Sequence, residues 1–340
     1  MAEQHITVDR SRTDFLRHMP FRTLLLENSM LIVLLLFVVF ATIVSEGKFI
    51  KGTNLTTILF QSSVIGVLAL GQALVMISGG IDLSMAAVLI LVGTLMGAAG
   101  SDRQQDLSLG GVVPYLGLER AILLGMGTAM LIGLVNGLVV VVTRIPPFIT
   151  TLVTSLVVSG ATLLITGGAP IYYPHQFFID FGQNKLLGLP LLVYGWFLLT
   201  VVLAIFLSRT KYGSMIYALG GNERAARLSG LRVGWIKILV YTLAGVLSGL
   251  AGYLYLCRTG YVTPVLNDNY LLQTIAAVVV GGVSMTGGRG SIRHAFLGVL
   301  IFAAMSNLMN ILLISPYIQD AIAGAIIILA VMLNVRIARD

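Results

Sequence analysis

The run Gly220-Gly221-Asn222-Glu223-Arg224-Ala225-Ala226-Arg227-Leu228-Ser229-Gly230 has the residue types of a short helix able to transmit motion. Asn222 is a strong N-cap. Glu223 suits the positive end of a helix and Arg227 the negative end. Ala225 and Ala226 favour helix, and Gly230 supplies a left-handed stop. Two turns of helix are unstable alone in water, so this one packs on its own chain or in a groove on a partner protein. In the second case Ala225 and Ala226 seat closely while Arg224 and Arg227 pair with acidic groups.

A second set of residues is polar within apolar stretches: Gln61, Ser62, Gln72, Asn136, Thr150, Thr151, Asn307 and Asn310. Amides and hydroxyls in that setting either bond helices together or line a dry path for a neutral solute rich in hydroxyls. Asp82 is an acid at membrane depth, which is costly and points to function by default. It is read here either as the cap of a helix after Gly79-Gly80 or as part of a gate or pathway. Phe148, after two prolines, is a candidate for an inner constriction.

Other chemistries are excluded. The chain has no G-x-x-x-x-G-K-[ST] phosphate loop, so it does not bind and hydrolyse ATP by that route. His5, His18, His175 and His294 are scattered with no metal-ligand spacing. The one cysteine, Cys257, lies in an apolar run and can form neither an internal disulfide nor a cysteine-based metal site. No nucleophile stands with a base and an orienting acid.

The elements that must position these residues are membrane helices. Of 340 residues, 57% are hydrophobic and only 10% are charged, where a soluble domain carries about 25% charged residues. The expected fold is therefore all-α and polytopic, with about ten spans of about 20 residues each. They are Leu24–Val44, Leu55–Ser78, Asp82–Ala99, Ala121–Thr143, Phe148–Thr166, Leu191–Ser208, Lys237–Cys257, Leu271–Ser284, His294–Ile314 and Ile318–Val335. The eighth is short and glycine-rich, which suggests an irregular or broken helix.

Charge placement orients them. The net charge is +7, yet the basic residues lie between apolar runs, which suits a topology signal better than nucleic acid. Of the 21 lysines and arginines, only Lys48, Lys51, Arg103, Arg120, Lys185 and Arg258 fall in the outer loops when the N-terminus is inside. That bias places both termini in the cytoplasm. The organisation is then a cytoplasmic tail over 1–23, a membrane domain over 24–335 with its longest inner connection over 209–236, and a cytoplasmic end over 336–340. The apolar run after the tail is too long for a signal-peptide core and lacks a small-residue cleavage site, so it is expected to be retained. Asn136 followed by Pro146-Pro147, and Asn307 with Asn310 followed by Pro316, form an echo five spans apart. That offset gives opposite orientations, as in inverted-repeat transporters.

Four segments together resemble the permease subunit of ribose-type ABC monosaccharide importers. They are Ile77-Ser78-Gly79-Gly80-Ile81-Asp82-Leu83-Ser84; Asn136-Gly137 with Pro147-Phe148-Ile149-Thr150-Thr151-Leu152; Tyr217-Ala218-Leu219-Gly220-Gly221-Asn222-Glu223 with Arg227-Leu228-Ser229-Gly230; and Ile275-Ala276-Ala277-Val278-Val279-Val280-Gly281-Gly282. The likeness runs from about Leu55 to the C-terminus. It implies a type II importer-like permease in the bacterial inner membrane, working as a homo- or heterodimeric pair. Two cytoplasmic ATP-binding subunits that hold ATP and magnesium lie below, and a periplasmic sugar-binding protein lies above. It also implies that Gly220 to Gly230 is the coupling helix and that this chain carries no cofactor and no catalysis of its own. The sequence departs from the ribose pattern at Leu271-Leu272-Gln273-Thr274, where that family often shows Glu-Leu-Asp before Ala-Ile-Ala-Ala. Ribose itself is therefore not fixed as the solute, and other pentoses, hexoses, polyols or autoinducer-2-like molecules stay open. The competing classes are an ion-coupled secondary transporter, for which Asp82 is nearly the only candidate acid, and a structural or signalling membrane subunit.

Overall fold

Apolar residues cover every side of the segment Gly52–Ile77 rather than one stripe, so a helix there has no face suited to solvent. In the computed structural model, which describes residues 28–101, 113–172, 174–264 and 268–339, this segment is the central helix α2. Its most apolar stretch is 78% buried inside the chain. Around it run α1 (Ser29–Val44), α3 (Met85–Gly100), α4 (Leu118–Thr143), α5 (Pro147–Thr166), α6 (Gln176–Gln183) and α7 (Leu191–Arg209). The chain continues as α8 (Lys211–Gly221), α9 (Glu223–Leu228), α10 (Val233–Thr259), α11 (Asp268–Val280), α12 (Ile292–Ile311) and α13 (Pro316–Arg339). The architecture is all-α apart from a two-residue hairpin pairing Lys185–Leu186 with Leu189–Pro190 and a bridge between Ile171 and Val262.

Among the described residues, six helices (α2, α4, α5, α7, α10 and α12) are long and apolar enough to cross a membrane, and α1, α3 and the 270–280 part of α11 are shorter apolar helices. Helix α13 covers the segment expected for the last span. The tail over 1–23, the first residues of the first expected span and Arg103 lie outside the described residues. At the other end α13 continues through 336–339 instead of stopping near Val335.

Close packing comes from small residues. A side chain at Gly133 of α4 would meet the carbonyl oxygen of Tyr241 at 2.4 Å and the Cα of Gly245 at 3.0 Å, and one at Gly137 would meet the Cα of Ile238 at 2.7 Å. Gly133 and Gly137 lie one turn apart on α4, facing the Ile238 to Gly245 stretch of α10. Backbones approach through such small-residue seams where the solvent is lipid and gives little hydrophobic drive.

Several boundaries differ from the sequence expectation. The third span begins at Met85, not Asp82, because Gly79 takes a left-handed φ of +86° and Asp82 turns the chain back onto Ser84. In the eighth expected span, α11 stops at Val280, where Gly281 and Gly282 follow with Gly282 at φ +93°. Its 13 residues span about 20 Å, short of the roughly 30 Å hydrocarbon thickness. The connection over 209–236 holds two helices, α8 and α9, not one. Helix α6 and the hairpin after it, at the far end from α9, were not anticipated.

Candidate functional site

At the end of the molecule where α2 finishes, the short helix forms as its sequence dictates. Asn222 has extended backbone (φ −161°, ψ 102°) and its side-chain oxygen accepts the Ala225 N–H. Gly230, at φ +81°, closes it. Gly220 and Gly221, expected in this helix, belong to the end of α8, because the extended Asn222 separates the two. Helix α9 is thus Glu223–Leu228.

Its two faces differ. Ala226 is buried against its own chain. Glu223 accepts from Arg227 at 3.0 Å and from Lys237 of α10 at 2.8 Å, which anchors the helix to the membrane domain. The Lys237 hydrogen bond first, and then Arg227, hold the Glu223 carboxyl below the usual carboxylate range against an opposing push from burial. The outer face presents Arg224, Ala225, Arg227 and Leu228, and Leu228 is 82% exposed. Beside it lies a cleft of about 520 Å³ lined by Arg144, Pro146, Pro147, Glu223, Arg227 and Lys237 among others. One face of this helix packs on its own chain through Ala226, and the other is exposed.

Behind α9 is a junction built from backbone alone. Gly288, in the loop between α11 and α12, donates its N–H to the carbonyl of Ile77 at 2.9 Å. A side chain at Gly220 would lie 1.8 Å from that same carbonyl oxygen and 2.6 Å from the Gly288 nitrogen. One at Gly287 would meet the Gly220 oxygen at 2.6 Å and the Gly79 Cα at 2.8 Å. Tyr217, one turn earlier on α8, donates its hydroxyl to the Gly290 carbonyl at 2.8 Å. The end of α8 is therefore wedged between the end of α2 and the α11–α12 loop, with glycine backbone at the closest approach.

The loop on the α2 side leads to the acid. Asp82 is buried, and its Oδ1 accepts from the Ser84 N–H at 2.8 Å and the Ser84 hydroxyl at 2.6 Å. Ser84 is the residue in the N-cap position of α3. Asp82 thus organises the entry to that helix from two residues upstream rather than capping its first turn. Asn136 Nδ2 donates to Ser84 Oγ at 2.9 Å, and Thr154 Oγ1 donates to Asn136 Oδ1 at 2.6 Å. Thr151 accepts from the Leu83 N–H at 3.0 Å and donates to the carbonyl of its own helix at Pro147, 3.0 Å away. The structure so joins Asp82, Ser84, Asn136 and Thr154 in one polar chain linking the entry of α3 to α4 and α5, and Thr151 ties α5 to the backbone of the same loop at Leu83. Thr150 and Gln72 lie outside it, buried and without a hydrogen-bond partner among the described residues, as is the Tyr241 hydroxyl. Phe148 is half exposed in the first turn of α5, so a constriction there would need a second body opposite it.

The remaining candidates cluster at the opposite end. Asn307 is used in a reciprocal amide pair with Asn54, at 2.9 and 3.0 Å, tying α12 to α2. Gln61, Ser62 and Asn310 line a cavity of about 500 Å³ between α2, α10, α11, α12 and α13. Asn310 accepts from Gln319 of α13 at 2.9 Å, as Asn136 accepts from Thr154 of α5. The two Asn–Pro echoes therefore share a bond between the helices they join, and both prolines start their helices. Arg258, Tyr270, Gln273, Ser306 and Gln319 also line this cavity. Sequence reading placed Arg258 in an outer loop because it ends an apolar run; it is in the last turn of α10.

The family description "Branched-chain amino acid transport system / permease component" matches residues 54–331. The ribose import permease protein RbsC of Bacillus subtilis is 37% identical over 88% of this chain and 90% of its own length. The fructose import permease protein FrcC of Rhizobium meliloti is 33% identical over 89% of this chain and 84% of its own. The D-allose transport system permease protein AlsC of Escherichia coli is 32% identical over 87% of both chains. No solved structure matches the chain.

Proposed function

We propose, on the premise that this chain belongs to the branched-chain amino acid transport system / permease component family, that it is the membrane permease subunit of an ATP-driven monosaccharide importer. Its relatives named for ribose, fructose and D-allose carry the sugar class. The permease lies in the bacterial inner membrane with the α9 end in the cytoplasm. It pairs with a second permease subunit, with ATP-binding subunits that hold ATP and magnesium, and with a periplasmic sugar-binding protein. It performs no catalysis itself.

The observation that carries this reading is the outer face of α9. A six-residue helix cannot persist by itself, and this one is pinned from behind by Ala226 and Glu223. It holds Leu228 and two arginines outward. An exposed leucine framed by cations suits a groove with an apolar floor and acidic walls. Force applied there passes through Asn222 to Gly220, and from Gly220 to the Ile77 and Gly288 loops. The Ile77 loop runs on to Asp82 and the Ser84–Asn136–Thr154 chain, which spans α3, α4 and α5. Nucleotide-driven movement of the partner thereby reaches three membrane helices.

The test is Arg224→Glu with Arg227→Glu. ATP hydrolysis by the assembled complex is expected to continue while sugar uptake is lost. Wild-type uptake by that double variant removes the coupling role.

A further inference from the structure

The cavity at the end opposite α9 contains a donor–acceptor set that none of the comparisons assigns. Arg258 stands at its wall in a fixed pose. Its Nη1 donates to the backbone carbonyl of Gln61 at 2.9 Å, its Nη2 donates to the Tyr270 hydroxyl, and the guanidinium lies 5.9 Å from the Tyr255 ring centre and 6.0 Å from that of Tyr270. A guanidinium has five N–H donors and no acceptor, so these contacts orient it and leave donors over. On the other side, Gln319 donates from one nitrogen to Asn310 Oδ1 and to the Ile314 carbonyl, both at 2.9 Å. That leaves the Gln319 oxygen as an acceptor and the Asn310 amide nitrogen as a donor. Gln61 and Gln273 make no side-chain hydrogen bond among the described residues, so each offers two donors and an acceptor oxygen.

We infer that this cavity is a solute site for a neutral monosaccharide ring, with Arg258 and Gln273 as its specificity-determining residues. The inference rests on the permease reading above and names the site within it. Sugar hydroxyls both donate and accept, and the free amides match them in both directions. An anion would be served by donors alone and would leave the amide oxygens unmatched. A cation would face the Arg258 charge, with no carboxylate among the described residues lining the cavity. The volume of about 500 Å³ lies within the range of small-molecule sites, and Phe60, Tyr270 and Phe302 supply the apolar walls. Oriented polar groups on apolar walls give specificity, because a hydroxyl missing from the solute leaves a wall group unpaired.

The test is uptake of radiolabelled ribose, fructose and allose by the full complex in cells lacking other importers of these sugars. Arg258→Lys and Gln273→Ala are compared with wild type, and the protonated amino analogue of whichever sugar is taken up serves as competitor. Gln273→Ala removes no internal bond, so it reads the site without disturbing the fold. We expect KM to rise by on the order of tenfold in either variant. The rank order of the sugars should change, while expression and the amount of co-purified ATPase stay level. The amino analogue should compete poorly with wild type and better with a third variant, Arg258→Gln, which removes the positive charge that Arg258→Lys keeps. KM and rank order unchanged within about twofold in both variants overturn the assignment. So does an amino analogue that competes as well as the neutral sugar. Uptake of none of the three sugars by a complex that retains its ATPase overturns the sugar site alone, whereas absence of the ATPase overturns the permease reading beneath it.

Discussion

The backbone N–H of Gly288 reaches the carbonyl of Ile77 at 2.9 Å across the surface of Gly220. The last residue of α2 and the loop between α11 and α12 are thereby joined at the root of the helix proposed to receive force. No side chain takes part, so only glycine fits at the crossing.

Gly220→Ala is expected to cost about 1–3 kcal/mol through overpacking, because its Cβ would lie 1.8 Å from a backbone oxygen. Gly221→Ala, with nothing within 4 Å, is expected to be neutral or to gain up to about 1 kcal/mol from helix propensity. Thermal denaturation of the two variants in detergent gives the comparison. Equal midpoints would show that the junction yields.

Glu223 gives a pH dependence with a definite sign. Its carboxyl is held below the ordinary glutamate value, so the anchoring of α9 is fully present above the unfolded pKa. It is lost only as pH falls through the depressed folded value. Protease sensitivity of the 209–236 connection is therefore expected to stay low at the pH where an ordinary glutamate is half protonated, and to rise below it. Glu223→Gln should raise sensitivity at neutral pH and flatten the profile. A wild-type profile that breaks above the ordinary glutamate value would contradict the pairing.

Asn136→Ala removes the group that accepts from Thr154 and donates to Ser84. The buried Ser84 hydroxyl and the half-buried Thr154 hydroxyl each lose one partner while keeping Asp82 and the Thr150 carbonyl, at a combined cost of about 1–3 kcal/mol. Asp82→Asn keeps the acceptor for Ser84 and removes only the charge, so stability should change less than in Asn136→Ala. A change in transport by Asp82→Asn at near-normal stability would assign the charge to gating. Unchanged transport would leave Asp82 with the α3 entry alone.

Tyr241→Phe deletes a buried hydroxyl that has no hydrogen-bond partner among the described residues. The expected effect on stability is neutral to stabilising, by up to about 1 kcal/mol. A loss above 1 kcal/mol would reveal a partner for this hydroxyl in another state of the transporter.

The sequence made some features legible and hid others for physical reasons. Span positions followed from apolar length, and the cap, body and stop of α9 from Asn222, Ala225, Ala226 and Gly230, because local interactions decide them. Helix α8 was hidden because Tyr217 and Gly220 gain their meaning from Gly290 and Gly288, far away in the chain. The Asp82 chain was hidden likewise. Asp82, Asn136 and Thr151 stood out singly as polar residues in apolar runs, but no periodicity says that α4 and α5 bring them together. Arg258 and Tyr270 were missed because residues at the ends of apolar runs look like loop residues until the helices are assembled.

The central claim is that energy enters through the outer face of α9 from an ATP-binding partner. Affinity purification of the tagged chain from its native membrane tests it most directly, with a second chain in which 222–230 is scrambled run in parallel. The account predicts an ATP-binding subunit that co-purifies with the first and is lost from the second. A homo-oligomer that carries no ATPase and takes up solute on an ion gradient alone would contradict it.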